Sequence, residues 1–320
     1  MSLKKVRAAL EGISGVHVTP YATSGDIDGP LLGRIVDRIA DAGIHNIVSA
    51  GNTGEFYALT ADEVRAVHDG AIEANAGRSL LTAGVGRSLK EAIELGRRAR
   101  DKGADALMAH QPLDPFAAPQ AQAAYFKAIA DAVDIPLIAY VRSDAMSLGD
   151  ILSVANHPNV AGVKFATTNL MLLSECIRSS MGSTALWVCG LAEGWAPAFY
   201  AVGARGFTSG LVNVDPVRSL AIHAALEAGR FDRVRELVDT IARFETMRTR
   251  FGNGANVTVV KEALRLIGFP VGPVRLPGLP QLDDSDRATL AEVLRAWNVP
   301  APAPVARIDA SVDVAPLRQI

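Results

Sequence analysis

Cysteine is nearly absent: Cys176 and Cys189 are the only two in 320 residues, and neither sits in a metal-ligand or redox spacing. That argues against a disulfide framework and fits a reduced, cytoplasmic setting in which both thiols are buried as small apolar groups. Histidine is sparse as well. His17, His45, His68, His110, His157 and His223 show no HxH or HExxH spacing, so no metal centre is expected. An excess of either charge is missing, since 32 Lys and Arg stand against 34 Asp and Glu. Without a basic footprint, nucleic acid is not an expected partner. No run approaches the ~18–20 unbroken apolar residues of a membrane span. The start, MSLKKVRAALEGISG, is too polar to read as a signal peptide. These absences leave a soluble protein with small-molecule partners, no membrane and no cofactor.

Short apolar runs rich in β-branched residues are present, and they alternate with longer helical patterns. Eight read as strands: GVHVTPY from Gly15, NIVSAG from Asn46, SLLTAGV from Ser79 and ADALMAHQP from Ala104, then IPLIAYV from Ile135, NVAGVKF from Asn159, ALWVCG from Ala185 and RGFTSG from Arg205. Continuous apolar runs of this length suit parallel strands buried on both faces. Between them, 60–77 opens with Thr60 and Glu63 at capping-box spacing, and 88–103 ends in basic residues and Gly103. Eight such units, with no GxGxxG after the first strand, predict a (β/α)8 TIM barrel over 1–216 rather than a doubly wound sheet. Helices follow at about 217–250, 256–268 and 285–298, read as a C-terminal helical extension (217–298) packed on the barrel. The Ala/Pro-rich stretch 299–320 reads as a flexible tail.

In a barrel the chemistry belongs at the C-terminal strand ends. Lys164 ends the sixth run between Val163 and Phe165. Burial there either demands a partner carboxylate or drives the amine to lose its proton and become a nucleophile for carbonyl carbon. Both readings are open from position alone. Tyr140 ends the neighbouring run, where a phenol can serve as a proton relay or as an ordinary core tyrosine. GNTGEF (51–56) offers Gly51, Asn52, Thr53 and Gly54 as a backbone cradle for a carboxylate, and Glu55 either as a catalytic carboxylate or, the reading preferred, as a structural acceptor for loop N–H groups. Arg142, His110, Asp114, Thr208 and Ser209 complete the candidate substrate contacts. Arg142 is suited to a second carboxylate because a guanidinium can bind one through two parallel bonds.

Together VTPY (18–21), GNTGEF, Tyr140, GVK (162–164) and GARGFTSGLVN (203–213) resemble the dihydrodipicolinate synthase / N-acetylneuraminate lyase family across roughly 10–295. The resemblance implies Lys164 as a Schiff-base lysine, Tyr140 as its relay, GNTG as the carboxylate cradle and a homotetramer or homodimer. The departures point within the family. Asn52 stands where the synthases carry a relay threonine, Pro112-Leu113-Asp114 where they carry Pro-Tyr-Tyr, and Ala145 where they carry an arginine. GNTGEF, Tyr140-Val141-Arg142 and GPVRLPGL (272–279) are more similar to the 5-dehydro-4-deoxyglucarate dehydratase branch. The expected activity is dehydration or aldol cleavage of a keto-deoxy sugar acid. Condensation of pyruvate with an aldehyde is the alternative, and a non-catalytic sugar-acid binding protein the alternative of another class.

Overall fold

All eight expected strands form, and each hydrogen-bonds in parallel to the next until β8 closes on β1. The computed structural model describes residues 2–180 and 185–299. The strands are β1 (Ile13–Val16), β2 (Asn46–Ser49), β3 (Leu80–Val85), β4 (Ala106–His110), β5 (Leu137–Val141), β6 (Val160–Phe165), β7 (Leu186–Cys189) and β8 (Phe207–Ser209). Around them run α2 (Gly29–Asp41), α3 (Ala61–Asn75), α4 (Leu89–Lys102), α5 (Pro119–Ala132), α6 (Leu148–Ala155), α7 (Leu170–Ser179), α8 (Ala196–Ala201) and α9 (Pro216–Glu227). The Thr60–Glu63 capping box starts α3, and Gly103 ends α4 at φ 106°, a conformation glycine adopts without a Cβ penalty.

Strand alternation sorts the side chains. Ile47, Leu81, Leu107, Ala139, Val163 and Phe207 face the helices in one large core. Val16, Val48, Met108, Ile138, Tyr140 and Val188 fill the barrel interior. An additional helix, α1 (Leu3–Leu10), inserts Val6 and Leu10 into that inner cluster and closes the N-terminal end of the barrel. Burying those two side chains is worth roughly 1.5–3 kcal/mol each. The closed floor leaves only the C-terminal end open to a ligand.

Two expectations shift. The boundary at 216/217 falls at the start of α9, but α9 packs on β1 and serves as the eighth barrel helix. The appendage therefore begins at Phe231, with α10 (Phe231–Asn253), α11 (Asn256–Leu266) and α12 (Asp284–Ala296). The second concerns α10. It leaves helical geometry at Arg250, Phe251 and Gly252, so the chain turns there and α11 runs back over the open end of the barrel. The expected tail, 299–320, lies outside the described residues apart from Val299.

Candidate active site

A cavity of about 930 Å³ opens at the C-terminal end of the barrel, between the strand ends and the returning α10–α11 segment. Lys164 lies on its floor. Parallel register pairs it with Tyr140 on β5 and Val188 on β7, so lysine and tyrosine stand side by side at one level. The amine sits 3.8 Å from the Tyr140 ring centroid and 3.9 Å from Met108 Sδ. Among the described residues it has no carboxylate partner, which removes the structural ion-pair reading. Burial, with the Arg142 cation adding to it, pushes the amine down to about 7. A large share of the lysine is then uncharged and nucleophilic near neutrality.

Tyr140 is held by Asn52, whose Nδ2 donates to the phenol oxygen at 3.1 Å. Burial raises the phenol, and Arg142 and the Asn52 bond partly offset this. The phenol therefore keeps its proton and can deliver it. Asn52 Oδ1 is buried without a partner among the described residues, an acceptor left for whatever enters the cavity.

The turn after β2 is built as a cradle, though its glycines do a different job from the one expected. Asn52 and Thr53 line the cavity, whereas Gly51 and Gly54 do not. A Cβ on Gly51 would come 2.5 Å from Val16 Cγ1, and one on Gly54 3.1 Å from the His17 carbonyl oxygen. These glycines let the turn press against β1 rather than against a ligand. Thr19 Oγ1 donates to the Gly54 carbonyl at 2.7 Å, and the Glu55 N–H to that of Asn52 at 3.0 Å. Glu55, at φ 61°, accepts the N–H of Arg275 at 2.8 Å and forms a buried ion pair with Lys261 of α11. It is a structural acceptor, as expected, and it ties the cradle to the C-terminal segment.

Arg142 lines the cavity as an exposed residue, with its guanidinium beside the Tyr140 phenol and near the Lys164 amine. No described carboxylate, Asp144 included, pairs with it. Its backbone N–H and that of Ser143 both donate to Gln111 Oε1, at 2.6 and 2.9 Å. Thr208 and Ser209 also line the wall.

Two expected contacts need correction. His110 points inward by strand parity, but Phe56 stacks on it with centroids 4.2 Å apart, and it is buried off the cavity wall. Its Nε2 lies 3.2 Å from the Ala50 carbonyl, and burial pushes the imidazole down to about 3. It props the cradle as a neutral ring. Asp114 is exposed and caps its own loop, accepting the Phe116 N–H at 2.8 Å. Loop geometry, which strand parity does not carry, separates both from the ligand space.

Residues missed from sequence come chiefly from the C-terminal helices. Glu245, Arg248 and Asn256 line the cavity. A signal was available: Ile241, Phe244 and Arg248 follow 3- and 4-residue spacing on the buried face of α10, and a charge on such a face calls for explanation. Glu193 was also missed. It is fully buried and accepts from Ser209 and Ser219 at 2.5 Å each. Among the described residues no group of His, Cys, Asp or Glu is placed to hold a metal ion, and no helix is long and apolar enough to cross a membrane.

A lone buried amine beside a phenol at the mouth of a (β/α)8 barrel defines a class I, lysine-dependent lyase architecture. The chain belongs to the Dihydrodipicolinate synthetase family, which it matches over residues 9–297. It is 33% identical to 4-hydroxy-tetrahydrodipicolinate synthase of Methanoculleus marisnigri, covering 89% of this chain and 98% of that protein. It is 32% identical to the probable 5-dehydro-4-deoxyglucarate dehydratase 1 of Streptomyces coelicolor, covering 81% and 84%. The crystal structure of dihydrodipicolinate synthase from Oceanobacillus iheyensis superposes with a TM-score of 0.89 at 37% identity, over 93% of this chain and 99% of that one. Likeness of similar degree to a synthase and to a dehydratase fixes the family and leaves the substrate to the site.

Proposed function

We propose that this protein is a Schiff-base-forming lyase that dehydrates or cleaves a keto-deoxy sugar diacid such as 5-dehydro-4-deoxyglucarate. The observation that carries the reading is the uncharged-prone Lys164 amine, without a carboxylate partner and next to the Tyr140 phenol.

The substrate C1 carboxylate docks on the Asn52–Thr53 turn, whose backbone N–H groups are made available by the geometry around Gly51 and Gly54. Lys164 Nζ attacks the C2 carbonyl. Tyr140 gives its proton to the carbinolamine oxygen, which leaves as water, and the C2–N bond becomes an iminium. Asn52 holds the phenol oxygen in place throughout. The Tyr140 phenolate then takes either a C3 proton or, for cleavage of the C3–C4 bond, the C4 hydroxyl proton, and the released electrons flow into the iminium. In the first case the C4 hydroxyl departs as water, taking that proton back from Tyr140. Hydrolysis of the C2–N bond frees the product and restores the amine.

Arg142 supports the diacid choice. A guanidinium beside the reacting centre, with no carboxylate partner among the described residues, can take a terminal carboxylate bidentately. Arg142→Lys is expected to raise KM for the diacid much more than for a truncated monoacid. Equal losses on both substrates would count against the assignment. Condensation of pyruvate with an aldehyde remains the second reading, favoured by the 37% identity to a solved synthase. Efficient turnover of pyruvate with aspartate semialdehyde would select it over the diacid. A cytoplasmic homodimer or homotetramer belongs to the same proposal. Phe116 is 94% exposed and Met171 77% exposed, and apolar side chains of this kind are what subunit contacts cover.

A further inference from the structure

The C-terminal helices bring a charged pair into the cavity that the mechanism above does not use. Arg248 of α10 is 3% exposed, yet it lines the cavity. Its Nη1 donates to Glu245 Oε1 at 2.7 Å, while Nε and Nη2 donate to Asn256 Oδ1 at 3.3 and 2.9 Å. A guanidinium has five N–H groups, so one on Nη1 and one on Nη2 have no protein acceptor among the described residues. The group lies against the end of β8 because position 210 is glycine. A Cβ there would come 2.7 Å from Arg248 Nη2 and 3.5 Å from Thr53 Cγ2. Arg248 therefore faces the same space as the candidate carboxylate cradle. Glu245 lines that space too, and only its Oε1 is committed.

We propose that Arg248 and Glu245 act together as a hydroxyl-reading pair, a specificity determinant for the hydroxylated portion of a 2-oxo acid. A hydroxyl both donates and accepts, and the two side chains offer an N–H and a carboxylate oxygen next to each other. A carboxylate is poorly served at this place, because Glu245 repels what Arg248 attracts. The two arginines thus divide the substrate: Arg142 takes the terminal anion, and Arg248 with Glu245 takes a hydroxyl. The assignment rests on the Schiff-base reading of the same cavity.

The test is borohydride trapping over a range of concentrations of two ligands, pyruvate and 5-dehydro-4-deoxyglucarate. Pyruvate has no hydroxyl for the pair to read. In Arg248→Met, the half-saturating concentration of the sugar acid is expected to rise about tenfold or more relative to that of pyruvate, the scale of a lost charged hydrogen bond. Gly210→Ala, which displaces the guanidinium while leaving its partners intact, should give the same selective loss and covers the case in which Arg248→Met does not fold. A parallel shift for both ligands, or none for either, overturns the proposal and leaves Arg248 as a clamp between α10 and α11. Failure of the wild-type protein to trap pyruvate would refute the Schiff-base reading itself, and the pair with it.

Discussion

At the scale of single residues, the site depends on what Lys164 is denied. Its neighbours are a thioether, an aromatic face and a cation, and none of them stabilises an ammonium as a carboxylate would. Tyr140 is the complementary choice, a phenol whose burial keeps it protonated. Tyr140→Phe should leave the cavity and the amine in place while removing the relay, and general acid–base groups contribute ~10²–10⁴-fold. Turnover is expected to fall on that scale with little change in thermal midpoint. A near-wild-type rate would make the tyrosine structural. Both residues were legible in the sequence, because adjacent parallel strands place strand-end residues at one level. His110 was misread for an equally physical reason: parity gave its direction, but not the Phe56 ring that covers it.

At the scale of elements, the eight strands were visible as apolar runs, with β1 starting two residues earlier than expected and ending at Val16. Helix α1 was not foreseen, since its eight residues precede the first strand and bury only Val6 and Leu10. Nor did local pattern reveal that α10 and α11 enter the cavity, because such contacts join residues far apart in sequence, as between Lys261 and Glu55. That ion pair fixes the cradle to α11, with Lys261 also donating to the Pro273 carbonyl at 3.1 Å. Burial pushes the Lys261 amine down to about 8, opposed by Glu55. Removing one partner strands a buried charge, which costs ~3–5 kcal/mol. Lys261→Met should accordingly lower the denaturation midpoint strongly, and the double variant Glu55→Gln/Lys261→Met should recover most of the loss. A mild single-variant effect would show that the pair does not hold the cradle.

At the scale of the whole molecule, three buried histidines set the acid limit of stability. Burial lowers His17 and His68 to about 4 and His110 to about 3, and the Nε2 atoms of His17 and His68 have no partner among the described residues. The unfolded chain protonates near pH 6.5 and the folded chain does not, so their contribution is intact above pH 6.5. It is lost as pH falls from there toward 4, by about 1.4 kcal/mol per pH unit for each histidine. Denaturant midpoints measured at pH 7 and pH 5 should differ accordingly, and identical midpoints would contradict the buried neutral rings. The same barrel that excludes protons from these rings also lowers the Lys164 amine to about 7. The central claim is therefore tested most directly on the intact protein, by incubation with pyruvate and borohydride followed by peptide mass mapping. A single reduced pyruvate on Lys164, forming faster as pH rises through about 7 and absent in Lys164→Ala, is the predicted result; an adduct on another lysine such as Lys127 or Lys261, or no adduct at all, would contradict it.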